Sequence, residues 1–251
     1  MAISVNKIYQ TVLALANKEQ RGYITPQEFN LFADHAQMDI FEQYFYDLNQ
    51  FKRVPGNDTI YGDMVNILEE KISMFHQEVF SGYYAQSERN VGTKDSFFES
   101  LYNKPSDMYR LIEILKVNTN QGVVSEIDKL SVRDYERAVK SPLTRGSVNM
   151  PVCTFRDTNI TVAPSIQGAV SQIKIEYIKK PSSPKWTYIV VNEKPLYNSS
   201  ATDHHNFELH DSEQKNLVIK ILQLAGVSIK DYNVTQVAAQ EEVKTIQQQK
   251  S

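Results

Sequence analysis

Between Thr25 and Phe51 the sequence carries its most restrictive pattern. Thr25, Pro26 and Glu28 set out a helix start. The threonine supplies a hydroxyl cap, the proline lacks an N–H the first turn would leave unused, and the glutamate reaches back to the cap. Phe29, Phe32, Ala36, Ile40, Tyr44, Leu48 and Phe51 then recur every three or four residues, so one aromatic-rich side must be buried. A helix from 26 to 51 spans about 39 Å at the standard rise. From Gly22 to Lys52 the acids are Glu28, Asp34, Asp39, Glu42 and Asp47, and Lys52 is the first base. The pattern predicts an acidic helix face with Asp34, Asp39, Glu42 and Asp47 as its surface candidates.

A shorter helix precedes it over about 4–18, where Val5, Ile8, Tyr9, Val12, Leu13 and Ala16 share helical spacing and Ser4 is a candidate cap. Residues 1–57 thus read as an N-terminal helical part, and 58–105, with Pro55 and Gly56 just ahead, as a linker and mixed segment in which Ile60–Phe80 is either a helix or a helix followed by a strand and Ser81–Pro105 is polar and irregular. From Ser106 the period changes. Tyr109–Val117 and Gly122–Leu130 read as a hairpin. Val132–Val139 reads as a short helix capped by Ser131. Val152–Phe155, Asn159–Ala163, Ser171–Ile178 and Trp186–Val191 read as four further strands. Ile173, Ile175 and Tyr177 alternate with polar neighbours, the mark of a half-buried strand. Residues 106–200 therefore form a β-rich module. Residues 201–251 return to helix, with Asp211 or Ser212 as cap, a stop at Gly226 and a last helix from about Asn233. The expected fold class is α+β: N- and C-terminal helices packed together as a helical domain, with the β-rich module inserted between them.

The chain of 251 residues has a formal net charge of −3, which points to no general affinity for nucleic acid or anionic membrane. Its single cysteine, Cys153, excludes an internal disulfide and suits a chain made in a reducing cytoplasm. No apolar run approaches the ~20 residues of a membrane helix, so neither secretion nor membrane insertion is expected. Asparagine (17) and glutamine (18) are abundant, which either suits wet, uncharged contacts between subunits or reflects an AT-rich genome.

Catalytic and metal patterns fail on their chemistry. Asn17–Glu28 imitates a calcium loop, but an amide stands at its first position and Arg21 at its fifth, so the carboxylates that offset cation dehydration are missing. Asp203–Asp211 is dense in histidine and acid, yet adjacent histidines in an extended loop point apart, whereas zinc needs converging ligands. The nine glycines include no phosphate-cradling pair and no nucleophile elbow. Cys153 reads as a packed thiol, and Glu126 with Asp128 as exposed strand acids that discourage edge pairing. No enzyme activity, cofactor or metal is expected. From Lys129 to Arg156 six bases outnumber Asp134 and Glu136. They fit either DNA phosphates or an acidic protein surface such as the long helix of a neighbouring copy; no aromatics interleave them for base stacking.

The stretch from Glu176 to Tyr188 (EYIKKPSSPKWTY) runs a strand into a Pro-bounded loop, then opens the next strand on the one tryptophan. With Phe29–Phe51 and Phe207–Val227, this arrangement resembles the virion structural proteins of crAss-like and related short-tailed phages, in particular head–tail connector subunits. The resemblance implies a ring of about twelve copies joined through head-to-tail interfaces. Such a ring lies below the portal, meets the portal and other connector or tail ring proteins, and passes double-stranded DNA without binding it specifically. The protein would be made in the bacterial cytoplasm and end in the neck of the virion. Candidate interface residues are Tyr177, Pro181, Pro184 and Trp186 at the corner, and Arg133, Arg137 and Arg145 in the basic stretch. An acidic helix face suits a channel lining, because repelled DNA slides.

Overall fold

Thr25 caps the long helix in the way its neighbours dictate. Its hydroxyl oxygen accepts from the Glu28 N–H at 3.3 Å, and the Glu28 carboxylate accepts from the Thr25 N–H at 2.9 Å and from its hydroxyl at 2.8 Å. In this computed structural model the residues described are 3–18, 24–53, 59–91, 95–118, 122–141, 143–165 and 171–228, with Gln240 and Lys244. The helices are α1 Val5–Lys18, α2 Pro26–Arg53, α3 Thr59–Ser73, α4 Val132–Ala138 and α5 Gln214–Ser228. The strands are β1 His76–Val91, β2 Asp95–Asn103, β3 Met108–Asn118, β4 Gly122–Glu126, β5 Asp128–Lys129, β6 Val152–Phe155, β7 Asn159–Ala163, β8 Ser171–Lys179, β9 Tyr188–Val191 and β10 Lys194–Tyr197. The class is mixed α and β.

Two compact units divide the chain: Met1–Met74 with Pro181–Ser251, and Phe75–Lys180. These bounds correct the expected ones. Ile60–Phe80 is a helix followed by a strand, one of its two expected readings, but β1 runs on to Val91 and β2 follows, so 58–105 is structured rather than a linker and the β unit spans Phe75–Lys180 rather than 106–200. The reason lies in the later part of β1: Gln86–Asn90 is polar throughout, so no apolar alternation marks a strand there.

In the first unit α2 packs on α3 and α5, and α1 packs on α5. Along α2 the buried side chains include Phe29, Ala33, Ala36, Ile40, Phe41 and Tyr44, close to the predicted face. Residue Asn206 caps α1, its side-chain oxygen accepting from the Val5 N–H at 3.1 Å. His210, not Asp211 or Ser212, caps the 3-10 turn Asp211–Glu213 that leads into α5; its Nδ1 accepts from the Ser212 N–H. The α5 helix also runs through the buried Gly226 to Ser228, because packing on α1 and α2 outweighs a cost of about 1 kcal/mol for an interior glycine. The helix expected from Asn233 lies outside the described residues, apart from Gln240 and Lys244.

The second unit is one eight-stranded sheet in the order β4-β3-β8-β1-β2-β7-β6-β5. All neighbours are antiparallel except β5 and β6. Its two outermost strands, β4 and β5, are separated in the chain by Ile127 alone. Main-chain bonds from the Ile127 N–H to Ile114 and from the Asp128 N–H to Pro151 then tie this one crossing to strands from both ends of the order. A sheet whose edges are consecutive in sequence must curl round, so the unit is barrel-like. Its interior holds Tyr102, Ile114, Ile127, Cys153, Ile160, Val162, Ile173, Ile175 and Tyr177 in one cluster. Cys153 is fully enclosed, and burial pushes its thiol up to about 12, which leaves it without thiolate character at neutral pH.

Outside the barrel sits α4. Ser131 caps it, accepting from the Asp134 N–H at 3.1 Å and donating to the Asp134 carboxylate at 2.7 Å. Tyr135 and Val139 pack with Phe97, Val152 and Ala163 in a second, smaller core. The loop after α4 returns under tight constraint. Around Ser147–Met150 two main-chain bonds close a turn, and a Cβ added at Gly146 would stand 2.8 Å from the carbonyl oxygens of Ala163 and Met150. These neighbours are backbone and cannot yield cheaply. Gly146→Ala is therefore expected to cost about 2 kcal/mol, read as a drop in the denaturant midpoint; an unchanged midpoint would contradict the close approach.

Candidate interaction surfaces

The α2 helix turns through roughly 100° per residue, and this angle decides which acids share a side. Asp39 and Glu42 fall about 60° apart on the solvent stripe, whereas Asp34 and Asp47 fall on opposite flanks. Burial agrees: Asp39 and Glu42 are exposed, while Asp34 and Asp47 are half-buried and Asp47 accepts from Gln43. The predicted four-acid face is thus corrected to a two-acid stripe. Leu31 and Tyr46 lie on the same stripe, 57% and 63% exposed, with His35 between Leu31 and the acids. Sequence reading missed these two, because isolated apolar residues on a polar face look like noise.

The Pro181–Trp186 corner is interior. Pro181, Pro184 and Trp186 are all buried within the first unit. Asn30 clamps the Trp186 main chain from both sides, donating to its carbonyl at 3.1 Å and accepting from its N–H at 2.8 Å. The indole N–H donates to the Asn6 side chain at 3.0 Å, and the ring lies 4.3 Å from the Tyr9 ring centroid. Gln37, fully buried, donates to the Ser182 carbonyl and accepts from the Glu208 N–H. These three amides (Asn6, Asn30 and Gln37) staple an irregular segment onto α1 and α2, so here the side chains expected between subunits serve within one chain. Tyr177 is likewise interior to the barrel, its hydroxyl donating to Asp107 at 3.0 Å, and burial with that carboxylate pushes its phenol up to about 12. The corner residues Tyr177, Pro181, Pro184 and Trp186 are therefore corrected from interface to core. Asn30 and Gln37, seven apart on α2, were the available signal.

What the corner does support is a surface hairpin. Tyr188 and Tyr197 stack on Trp186 at 5.7 and 5.8 Å. From this platform β9 and β10 pair, among the described residues, only with each other, and Asn192 and Glu193, both at positive φ, make the two-residue turn that matches strand twist. Ile189, Val190, Val191 and Leu196 all stand exposed, Val190 at 65%. Pro195 removes a donor from β10.

In the basic stretch the structure separates two groups. Arg156 bonds Glu136 at 3.1 Å, Arg145 lies 5.2 Å over the Phe97 ring, and Lys129 lies 4.9 Å over the Phe155 ring. Arg145 is thus half-buried in a packing role rather than presented as an interface cation. Arg133 and Arg137 remain exposed on the side of α4 opposite Tyr135, and Lys140, two residues past the helix end, is exposed as well. Beneath α4 runs a charged network. Arg89 bonds Glu99 at 3.0 Å and also Glu136, and the Tyr135 hydroxyl donates to Glu99 at 3.0 Å. Beyond the Arg133–Lys140 group, Leu143, Val148 and Met150 project from the constrained loop, Leu143 at 96% exposure.

The histidine-rich segment disperses its ligands. Asp203 pairs with Lys185, His204 bonds the Tyr197 hydroxyl at 2.7 Å, and His210 caps the turn before α5. Among the described residues no three His, Cys, Asp or Glu side chains stand together as a metal site, and no helix is long and apolar enough to cross a membrane. Glu126 and Asp128 are both exposed on either side of the buried Ile127. No family model matches the chain, and no curated protein matches it either.

Proposed function

We propose that this chain is a virion structural protein, a ring subunit of the phage head–tail connector below the portal that forms part of the channel for genome packaging and ejection. The observation that supports an assembling role is the β9–β10 hairpin. Two isolated strands are marginal in water, and exposed apolar side chains on such a ribbon mark a contact surface. Ile189, Val190, Val191 and Leu196 on a rigid aromatic platform fit that description. In this reading the helices from the two ends of the chain make the helical body, and the β-rich module is an insertion in it. The partners are further copies of the chain, about twelve to a ring, the portal, and neighbouring connector or tail ring proteins. Double-stranded DNA passes without specific binding, and no catalysis, cofactor or membrane is involved. The protein is made in the host cytoplasm and acts in the neck of the virion.

Mass in solution, with and without the portal protein of the same phage, tests the reading. A multiple of the chain mass, alone or on the portal, is the expected result; a monomer that ignores the portal contradicts it. The double substitution Ile189→Asp and Val190→Asp is expected to abolish that assembly while leaving the melting temperature within about 2 °C of the parent, since both side chains already face solvent. Unimpaired assembly would remove the hairpin from the interface.

A further inference from the structure

We infer that the α2 stripe of one copy docks on the α4 face and following loop of the next copy, Asp39 and Glu42 meeting Arg133 and Arg137. This deepens the ring reading and rests on it for the identity of the partner. Each surface has the same plan with opposite charge. On α2 two acids three residues apart are flanked by exposed Leu31 and Tyr46. On α4 two arginines four residues apart are continued by Lys140 and then by the exposed Leu143, Val148 and Met150. Residues three or four apart on a helix stand one above the other, so each pair presents its charges along one line.

The charged side chains of both surfaces are exposed. These are Asp39, Glu42, Arg133, Arg137 and Lys140, and among the described residues none of their side chains makes a hydrogen bond or ion pair. The further titratable groups on the α2 stripe next to the acids, His35 and Tyr46, are also exposed. The nearest acids to the arginines, Asp134 and Glu136, are engaged by the Ser131 cap and by Arg89 with Arg156. The loop is fixed by its turn, by the close approach at Gly146 and by the Lys116 ammonium, which donates to the Val148 carbonyl at 2.9 Å. Preorganised apolar side chains beside unpaired cations favour a protein surface over a phosphate backbone, which would leave Leu143, Val148 and Met150 in water. A second copy supplies the matching acids and apolar groups. Because the two surfaces are unlike, the contact is head-to-tail and each copy keeps one of each free for the next. The pairing also removes Asp39 and Glu42 from a channel lining.

Charge reversal in two proteins tests this. Arg133→Glu with Arg137→Glu makes both surfaces of a copy acidic, and Asp39→Lys with Glu42→Lys makes both basic. Each variant alone is expected to need at least about tenfold more protein for half-assembly, from facing like charges. An equimolar mixture is expected to recover parental assembly, because alternating copies again face opposite charges. Circular dichroism of each variant checks the fold. If both variants assemble like the parent, this interface is wrong while the ring reading stands; lost retention on duplex DNA by the arginine variant in that case would assign the arginines to nucleic acid. Impaired variants that stay impaired when mixed overturn the pairing as well. A parent protein that never assembles, alone or on the portal, overturns both this pairing and the ring reading.

Discussion

Replacing Trp186 with alanine is expected to cost about 3–5 kcal/mol of stability, the range for emptying a large buried aromatic site. The side chain is only 4% exposed and joins four elements. Its ring meets Tyr9 of α1, its N–H bonds Asn6, its main chain is clamped by Asn30 of α2, and Tyr188 and Tyr197 stack on it. Trp186→Phe retains most of the packing and loses the Asn6 bond, so a cost of about 1 kcal/mol beyond the lost area is expected. Because the hairpin's tyrosines rest on the indole, Trp186→Ala should also impair assembly below its unfolding temperature. Parental assembly by a strongly destabilised Trp186→Ala protein would show that the hairpin does not need its platform. A stability loss under 1 kcal/mol would contradict the packing itself.

The second large effect belongs to the β unit. Glu99 is 6% exposed and accepts from both the Arg89 guanidinium and the Tyr135 hydroxyl. Glu99→Ala leaves a fully buried phenol without an acceptor and a partly buried guanidinium with Glu136 alone. Removing one member of such a pair is expected to cost about 3–5 kcal/mol. The converse change, Glu99→Gln, keeps an acceptor for Tyr135 and should recover roughly half of that, since the neutral bond is the weaker one. Urea unfolding of the two variants separates the contributions. Equal midpoints for alanine and glutamine would mean that the charge, not the hydrogen bond, holds α4 to the barrel.

Local chemistry made much of the fold legible. The Thr25–Glu28 box, the Ser131 cap and the alternation of Ile173, Ile175 and Tyr177 each follow from side chains within a few residues. The failures are equally physical. Barrel closure depends on which strands become neighbours across long sequence separations, as when β8 pairs with both β1 and β3, and no local period encodes that. The later part of β1 escaped because Gln86–Asn90 is polar throughout, and β10 because Pro195 reads as a break.

At the candidate surfaces the residue types were legible and their direction was not. Tryptophan and proline at a turn are equally at home in an interface and in a core, and only the amides of Asn30 and Gln37, 156 and 145 residues away in the chain, decide for the core. The six bases of the 129–156 stretch likewise divide according to packing partners that sequence cannot place, Phe97 for Arg145 and Glu136 for Arg156.

In the proposed role this chain assembles into rings. Negative-stain images of the purified protein, alone and mixed with its portal, test it directly. Closed rings with a central hole, free or stacked on the portal, are the predicted result. Single particles or fibres under both conditions would contradict it.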